Sequence, residues 1–248
     1  MFLLAVLPGI LLFAIVWKFD KVEKEPPMLL LKLFAFGVLS ILAAILLRTL
    51  LIKLLTPVFY GDTSLLFVFT DAFLVTALIE VGAKYLVLRL AAWKDRAFNY
   101  TFDAIVYAVT VSVGFVTGEN IVYLIKYGSD LEPVRLLLPL ISQIILAVYM
   151  GYFFGLAKLD EGRGNAKGKR LHLIEAFCVP FAMQGLYEFC LGGRRTSLYI
   201  LFAVYVLLIT GTSIYFFLRL SKGDSAIPGG DGPESAEKAD TASASEDW

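Results

Sequence analysis

The sequence is poor in histidine and cysteine, and both shortages limit the chemistry open to it. His172 is the one histidine among 248 residues, so the chain cannot supply several imidazole ligands to a metal. Cys178 and Cys190 are the two cysteines. They lie about 18 Å apart along one predicted helix, which is too far for a disulfide bond between them. The sequence also lacks a CxxC motif, and we interpret both cysteines as packing residues.

Other absences exclude further classes of protein. The sequence has no internal repeat and no motif for binding nucleic acid, and its 22 basic and 22 acidic residues cancel. Apolar residues are abundant instead: 58% of the chain is hydrophobic and the mean hydropathy is +0.76. A soluble domain contains about 45–50% apolar residues. Apolar runs of about 20 residues recur along the chain, which predicts an all-α, multi-pass membrane protein.

The apolar runs predict about seven membrane spans within a membrane domain at residues 1–220. The spans are predicted at residues 1–17, 28–56, 65–93, 102–127, 136–158, 171–191 and 197–220. The first lacks a basic start and a cleavage site, which indicates a retained helix and not a signal peptide. Residues 221–248 are rich in Ser, Ala, Gly and acidic residues, and we predict a disordered acidic tail.

The distribution of basic residues predicts the orientation in the membrane. With seven spans, twelve lysines and arginines fall in the loops on one side and four in the loops on the other. Cytoplasmic loops of membrane proteins carry the excess of basic residues. We therefore expect the N-terminus outside and the acidic tail in the cytoplasm.

A carboxylate stands inside the fourth predicted span. Burying the charged side chain of Glu119 at such a depth would cost about 2.5–3.5 kcal/mol. A functional role with partners on other helices is therefore expected. Glu80, Gln143 and Gln184 occupy the third, fifth and sixth spans. All four side chains are predicted about 10–14 Å below the outer surface. Polar groups from four helices would therefore meet in one layer.

Structural roles remain open for several of these residues. Glu80 and Lys84 are spaced i,i+4 on one helix and could form a structural ion pair. A buried glutamine can also simply join two helices, for about 0.6–2 kcal/mol. We expect Asp71 and Glu188 near the outer interface, in a solvated role. We expect His172 at the inner surface, about 20 Å from the layer, and exclude it as a ligand there.

The chain resembles the PrsW family of intramembrane proteases in five segments. GFVTGENIVY at 114–123 is similar to the family pattern G-F-x-x-x-E-N-x-x-Y, and IEVGAKY at 79–85 to E-E-x-x-K. QGLYEF at 184–189 resembles H-G-L-Y-D-F. The remaining two segments are DKVEKEPPMLLLKLFAFG at 20–37 and SQIILAVYMGYFFGLA at 142–157, where the family segment usually opens with histidine.

The resemblance implies hydrolysis of peptide bonds within the membrane of a bacterial or archaeal cell. It implies zinc or another divalent metal as the cofactor, and single-span membrane proteins such as anti-sigma factors as substrates. Glu80, Lys84, Glu119 and Asn120 would be the catalytic residues. The ligand positions of the family fall on Glu119, Gln143 and Gln184.

The sequence departs from the family pattern at three of these positions. Val81 replaces the second glutamate of E-E-x-x-K, and Gln143 and Gln184 replace histidines. Glutamine is a poor zinc ligand, although its oxygen can bind a hard cation weakly. Two alternatives follow: an active protease with weak oxygen ligands, or an inactive relative that binds transmembrane segments. A third, an ion pathway or transporter, lacks the usual repeats and paired broken helices.

Overall fold

The computed structural model describes residues 18, 24–59, 64–128, 133–193 and 196–228. Within them the regular structure is helical, apart from one isolated β-bridge, so the all-α prediction is confirmed. The long helices are α1 (Pro27–Phe59), α2 (Leu65–Ala91), α3 (Asp103–Tyr127), α4 (Pro133–Gly162), α5 (Ala166–Gly192) and α6 (Thr196–Lys222).

Five of these helices are long and apolar enough to cross a membrane, namely α1, α2, α3, α4 and α6. Helix α5 forms where the sixth span was predicted, but it is not among the five. It carries five charged residues, which are Lys167, Lys169, Arg170, Glu175 and Glu188. The first predicted span lies outside the described residues. Seven spans and the orientation in the membrane therefore stay predictions.

Helix α3 is the centre of the bundle. Of its most apolar stretch, 83% is buried, and it packs chiefly against α1 on one side and α4 on the other. Glycines allow the backbones of α1 and α3 to touch. A Cβ added to Gly114 would lie 2.3 Å from the carbonyl oxygen of Phe34, and one added to Gly37 would lie 2.3 Å from that of Val111. Small residues that let two helices approach closely are typical of membrane interfaces.

Helix α2 contains a π-helical segment, Asp71–Ala77, before the residues of interest. A π-turn adds a residue to the helical turn and so rotates the face that the following residues present. Glu80 lies in the first α-helical turn after this segment. The segment also packs closely against α5, because a Cβ added to Gly185 would lie 2.3 Å from the Phe73 ring. The widened helix therefore helps to set the direction in which Glu80 points.

The first residues of the predicted disordered tail are ordered. Helix α6 continues to Lys222, and the chain then turns back onto the loop between α2 and α3. Ala226 forms the isolated bridge with Tyr100, and Ile227 is only 5% exposed. Residues 221–228, which the sequence analysis assigned to the tail, therefore pack against the bundle in this structure. Residues 229–248 lie outside the described part of the chain.

Backbone groups and a carboxylate hold this returning segment in place. Oδ1 of Asp224 accepts hydrogen bonds from the backbone N–H of Phe102, at 2.9 Å, and from the hydroxyl of Thr101, at 3.1 Å. The N–H of Ile227 donates to the carbonyl oxygen of Asn99 at 2.7 Å. Composition alone cannot predict these contacts, because they depend on one buried side chain and on groups in a distant part of the chain.

We expect Gly114→Ala to destabilise the protein by about 1–3 kcal/mol, because the new methyl group collides with backbone atoms of α1. Thermal unfolding of the detergent-solubilised protein measures the effect. Gly211→Ala on α6 is the matched control, since nothing lies within 4 Å of a Cβ at that position. Equal melting temperatures for the two variants would contradict the close α1–α3 contact.

Candidate active site

Four of the predicted site residues form one hydrogen-bonded network. Glu80 and Lys84 come from α2, Gln143 from α4 and Gln184 from α5. The network runs from Lys84 through Gln143 to Glu80 and on to Gln184. Of the four residues predicted to share one layer, Glu80, Gln143 and Gln184 meet in this network, whereas Glu119 is not part of these hydrogen bonds.

The ammonium group of Lys84 is buried, with the residue only 2% exposed. It donates a hydrogen bond to Oε1 of Gln143 and lies 5.1 Å from the centre of the Phe115 ring. An ammonium group inside a membrane protein needs such partners, because leaving it unpaired is costly. Gln143 and the aromatic face supply an acceptor and a favourable cation–π contact.

One oxygen of Glu80 accepts hydrogen bonds from both glutamines. Its Oε2 lies 3.0 Å from Nε2 of Gln143 and 2.5 Å from Nε2 of Gln184. Two N–H donors from different helices fix the orientation of the carboxylate. Gln184 is 1% exposed, and its Oε1 has no hydrogen-bond partner among the described residues.

The i,i+4 spacing of Glu80 and Lys84 left a direct ion pair open, and these two described side chains do not form it. Gln143 lies between them instead, with its oxygen toward the ammonium group and its nitrogen toward the carboxylate. The amide can serve both charges because it carries an acceptor and a donor at its two ends.

Two carboxylates of the predicted site line a cavity of about 470 Å³ between α1, α2 and α3. These are Glu80 and Glu119, and Arg48 and Lys126 also line it. Gln143, Gln184 and Asn120 are not among the lining residues. The predicted layer is therefore divided, with the carboxylates on the cavity and the glutamines packed behind Glu80. Asn120 does not line the cavity although its neighbour Glu119 does, because successive helical residues point about 100° apart.

Two charged residues near this cavity, Arg48 and Glu188, were not assigned to the site from the sequence. Arg48 interacts electrostatically with Glu119 and with Glu188. Glu188 is half-buried and also interacts with Glu80 and Lys84, so it lies closer to the candidate site than its assignment to the outer interface implied. Its spacing of i+4 from Gln184 was the available signal, because such residues share a helical face. For Arg48 the signal was a single arginine within a long apolar span.

The remaining predicted positions lie elsewhere. Val81 is fully buried in the main hydrophobic core, so the position of the second family glutamate has an apolar environment. His172 lies near the turn between α4 and α5, where its Nδ1 is 2.8 Å from Oδ2 of Asp160. Its other nitrogen is 3.9 Å from Glu175. Neither contact involves the candidate site.

Comparison with known proteins identifies relatives over most of the chain. The model of a family described as PrsW family intramembrane metalloprotease matches residues 25–212. A protein named Protease PrsW from Geobacillus kaustophilus is 33% identical over 75% of this chain and 77% of its own length. Protease PrsW from Oceanobacillus iheyensis is 32% identical over 81% of this chain and 87% of its own length. That from Bacillus subtilis is 30% identical, covering 77% and 83%. No solved structure matches the chain.

These relatives and the five apolar helices together indicate a multi-pass membrane protein. The matched region contains all the residues of the network and all those that line the cavity.

The donor groups of this chain do not fit the zinc ion that the family description implies. Oε1 of Gln143 already accepts from the Lys84 ammonium group, and Oε2 of Glu80 accepts from two amides. The unpartnered Oε1 of Gln184 is a single neutral oxygen, whereas zinc prefers imidazole, thiolate or carboxylate ligands. Among the described residues, no group of three His, Cys, Asp or Glu side chains is placed to hold a metal.

We expect Gln143→Leu to destabilise the protein more than Gln184→Leu. The first change removes a satisfied amide and leaves a buried ammonium group without that acceptor, which costs about 1–3 kcal/mol or more. The second removes one donor to Glu80 but also an unsatisfied oxygen, and these effects offset each other. Chemical or thermal unfolding in detergent compares the two variants. A larger loss for Gln184→Leu would contradict the network.

Proposed function

Because the chain belongs to the PrsW family of intramembrane metalloproteases, we propose that it hydrolyses peptide bonds of membrane proteins within the bilayer. The observation that carries this proposal is the pair of carboxylates, Glu80 and Glu119, on one cavity between membrane helices. Paired carboxyl groups can divide the tasks of base and acid in hydrolysis.

The hydrogen bonds divide the roles of the two carboxylates. Oε2 of Glu80 already accepts hydrogen bonds from two amides, which makes Glu80 the poorer base of the two. Glu119 lines the same cavity, and its carboxylate is therefore assigned to take a proton from water. The oxygen of that water attacks the peptide carbonyl carbon. Glu119 then returns the proton to the leaving nitrogen as the carbon–nitrogen bond breaks. Lys84 interacts electrostatically with both carboxylates and opposes the negative charge that develops.

The position of the cavity supports a substrate that arrives through the lipid. Ile45 and Arg48 of α1 both line it and are exposed on the surface of the bundle. The neighbouring Leu42 and Leu46 are about 60% exposed, which is typical of side chains that face lipid. A transmembrane segment could therefore reach the carboxylates from the side of α1.

The proposed substrates are single-span membrane proteins, such as membrane-bound anti-sigma factors, in the cell membrane of a bacterium or archaeon. A volume of about 470 Å³ holds a few side chains of an extended peptide and excludes a folded domain. The substrate class follows from the family resemblance, and the size of the cavity agrees with it.

A second candidate function is binding of transmembrane segments without cleavage. The observation that favours it is the pair of glutamines, because Gln143 and Gln184 stand where the family pattern has histidine. An inactive relative would keep the cavity and the route of entry but would release its partner intact.

We expect Glu119→Gln to reduce cleavage of a single-span reporter protein by about 10²–10⁴-fold, because the amide cannot accept the proton. The measurement is the rate of reporter cleavage in proteoliposomes. Glu175→Gln is the matched control, since this glutamate contacts His172 and does not line the cavity. Unchanged cleavage by Glu119→Gln would contradict the proposed base. Co-purification of an intact reporter with wild-type protein that cleaves nothing would favour the binding function.

A further inference from the structure

The buried network of this chain contains a positive charge of its own, close to the carboxylates of the candidate site. Lys84 is 2% exposed, and it interacts electrostatically with Glu80, Glu119 and Glu188. These three carboxylates belong to three helices, α2, α3 and α5. Lys84 does not line the cavity, so its ammonium group would stabilise developing negative charge through its electric field and not by touching the substrate.

We propose that the Lys84 ammonium group takes the place of the metal ion in this chain, and that Gln143 and Gln184 adapt the site to it. This inference deepens the proposed proteolytic function and rests on it. It assigns the chain to metal-independent hydrolysis by carboxylates and an ammonium group.

The hydrogen bonds made by the two glutamines support this assignment. A histidine that binds a metal uses its lone pair on the metal, whereas Oε1 of Gln143 uses a lone pair on the Lys84 ammonium group. The nitrogen ends of both glutamines donate to Oε2 of Glu80, so this oxygen is directed toward amides. A divalent ion placed among these groups would meet N–H donors and an ammonium group of like charge.

The unpartnered oxygen of Gln184 also fits an arrangement without metal. A buried acceptor with no protein partner calls for a donor, and a water molecule satisfies this requirement. Gln184 would then donate to Glu80 through its Nε2 and hold a water molecule at its Oε1. In this assignment Gln184 is a positioning residue.

Metal content tests the inference independently of cleavage. The full-length protein, purified in detergent, is incubated with excess zinc, passed through a desalting column and analysed for zinc. We expect substoichiometric zinc in the wild-type protein, and the same melting temperature with and without zinc. About one zinc ion per chain that is lost in Gln184→Leu and kept in His172→Ala would overturn the inference. Zinc that is lost in His172→Ala and kept in Gln184→Leu belongs to the histidine outside the site, and would support it.

Cleavage provides the second measurement, because it separates failure of this inference from failure of the proposed function. If the wild-type protein cleaves the reporter, we expect the same rate with and without a zinc chelator. We expect Lys84→Gln to lose about 10²–10⁴-fold in rate and Lys84→Arg to retain part of it. A rate abolished by chelation and restored by zinc would overturn the inference while leaving the proteolytic function intact. An absence of cleavage by the wild-type protein in every condition would overturn both.

Discussion

The hydrogen bond from the Lys84 ammonium group to Gln143 is the interaction on which the site depends. An ammonium group in the interior of a membrane bundle must be satisfied by the protein, because no bulk water reaches it. Oε1 of Gln143 accepts its hydrogen bond, and Nε2 of the same side chain donates to Glu80. Gln184 donates to the same oxygen of Glu80, so the two amides together fix the orientation of this carboxylate. Three helices are thus joined through the side chains that also define the chemistry.

Close packing of the helices makes this network possible. Gly37 and Gly114 bring the backbones of α1 and α3 into contact, so that Glu119 and the residues of α1 face one cavity. The π-helical segment and Gly185 do the same for α2 and α5, where Glu80 and Gln184 meet. The stability of the bundle and the arrangement of the site therefore rest on the same small residues.

Much of the site could be predicted from depth and residue type. Polar residues inside apolar spans are costly, so Glu80, Glu119, Gln143 and Gln184 could be assigned to one functional layer before the fold was known. Depth along a helix does not specify direction around it. Direction around each helix decides which side chains line the cavity and which lie behind Glu80, so the division between cavity and network was not predicted.

Other features depend on contacts between distant parts of the chain. The order of residues 224–228 comes from their contacts with the loop at 99–102, and a composition rich in small and acidic residues gives no sign of it. Arg48 is the one arginine of a long apolar span that also contains Lys32 and Lys53, and only the fold brings it near Glu119. Sequence patterns identify which residues are unusual, and packing decides which of them meet.

A double-mutant cycle between Lys84 and Gln143 tests the central claim most directly. The free energy of unfolding is measured for the wild-type protein, for Lys84→Met, for Gln143→Leu and for the double variant. The network predicts a coupling energy of about 1.5–3 kcal/mol, as for a hydrogen bond to a buried charge. Additivity of the two single changes within about 0.5 kcal/mol would show that the residues do not interact, and would contradict the account.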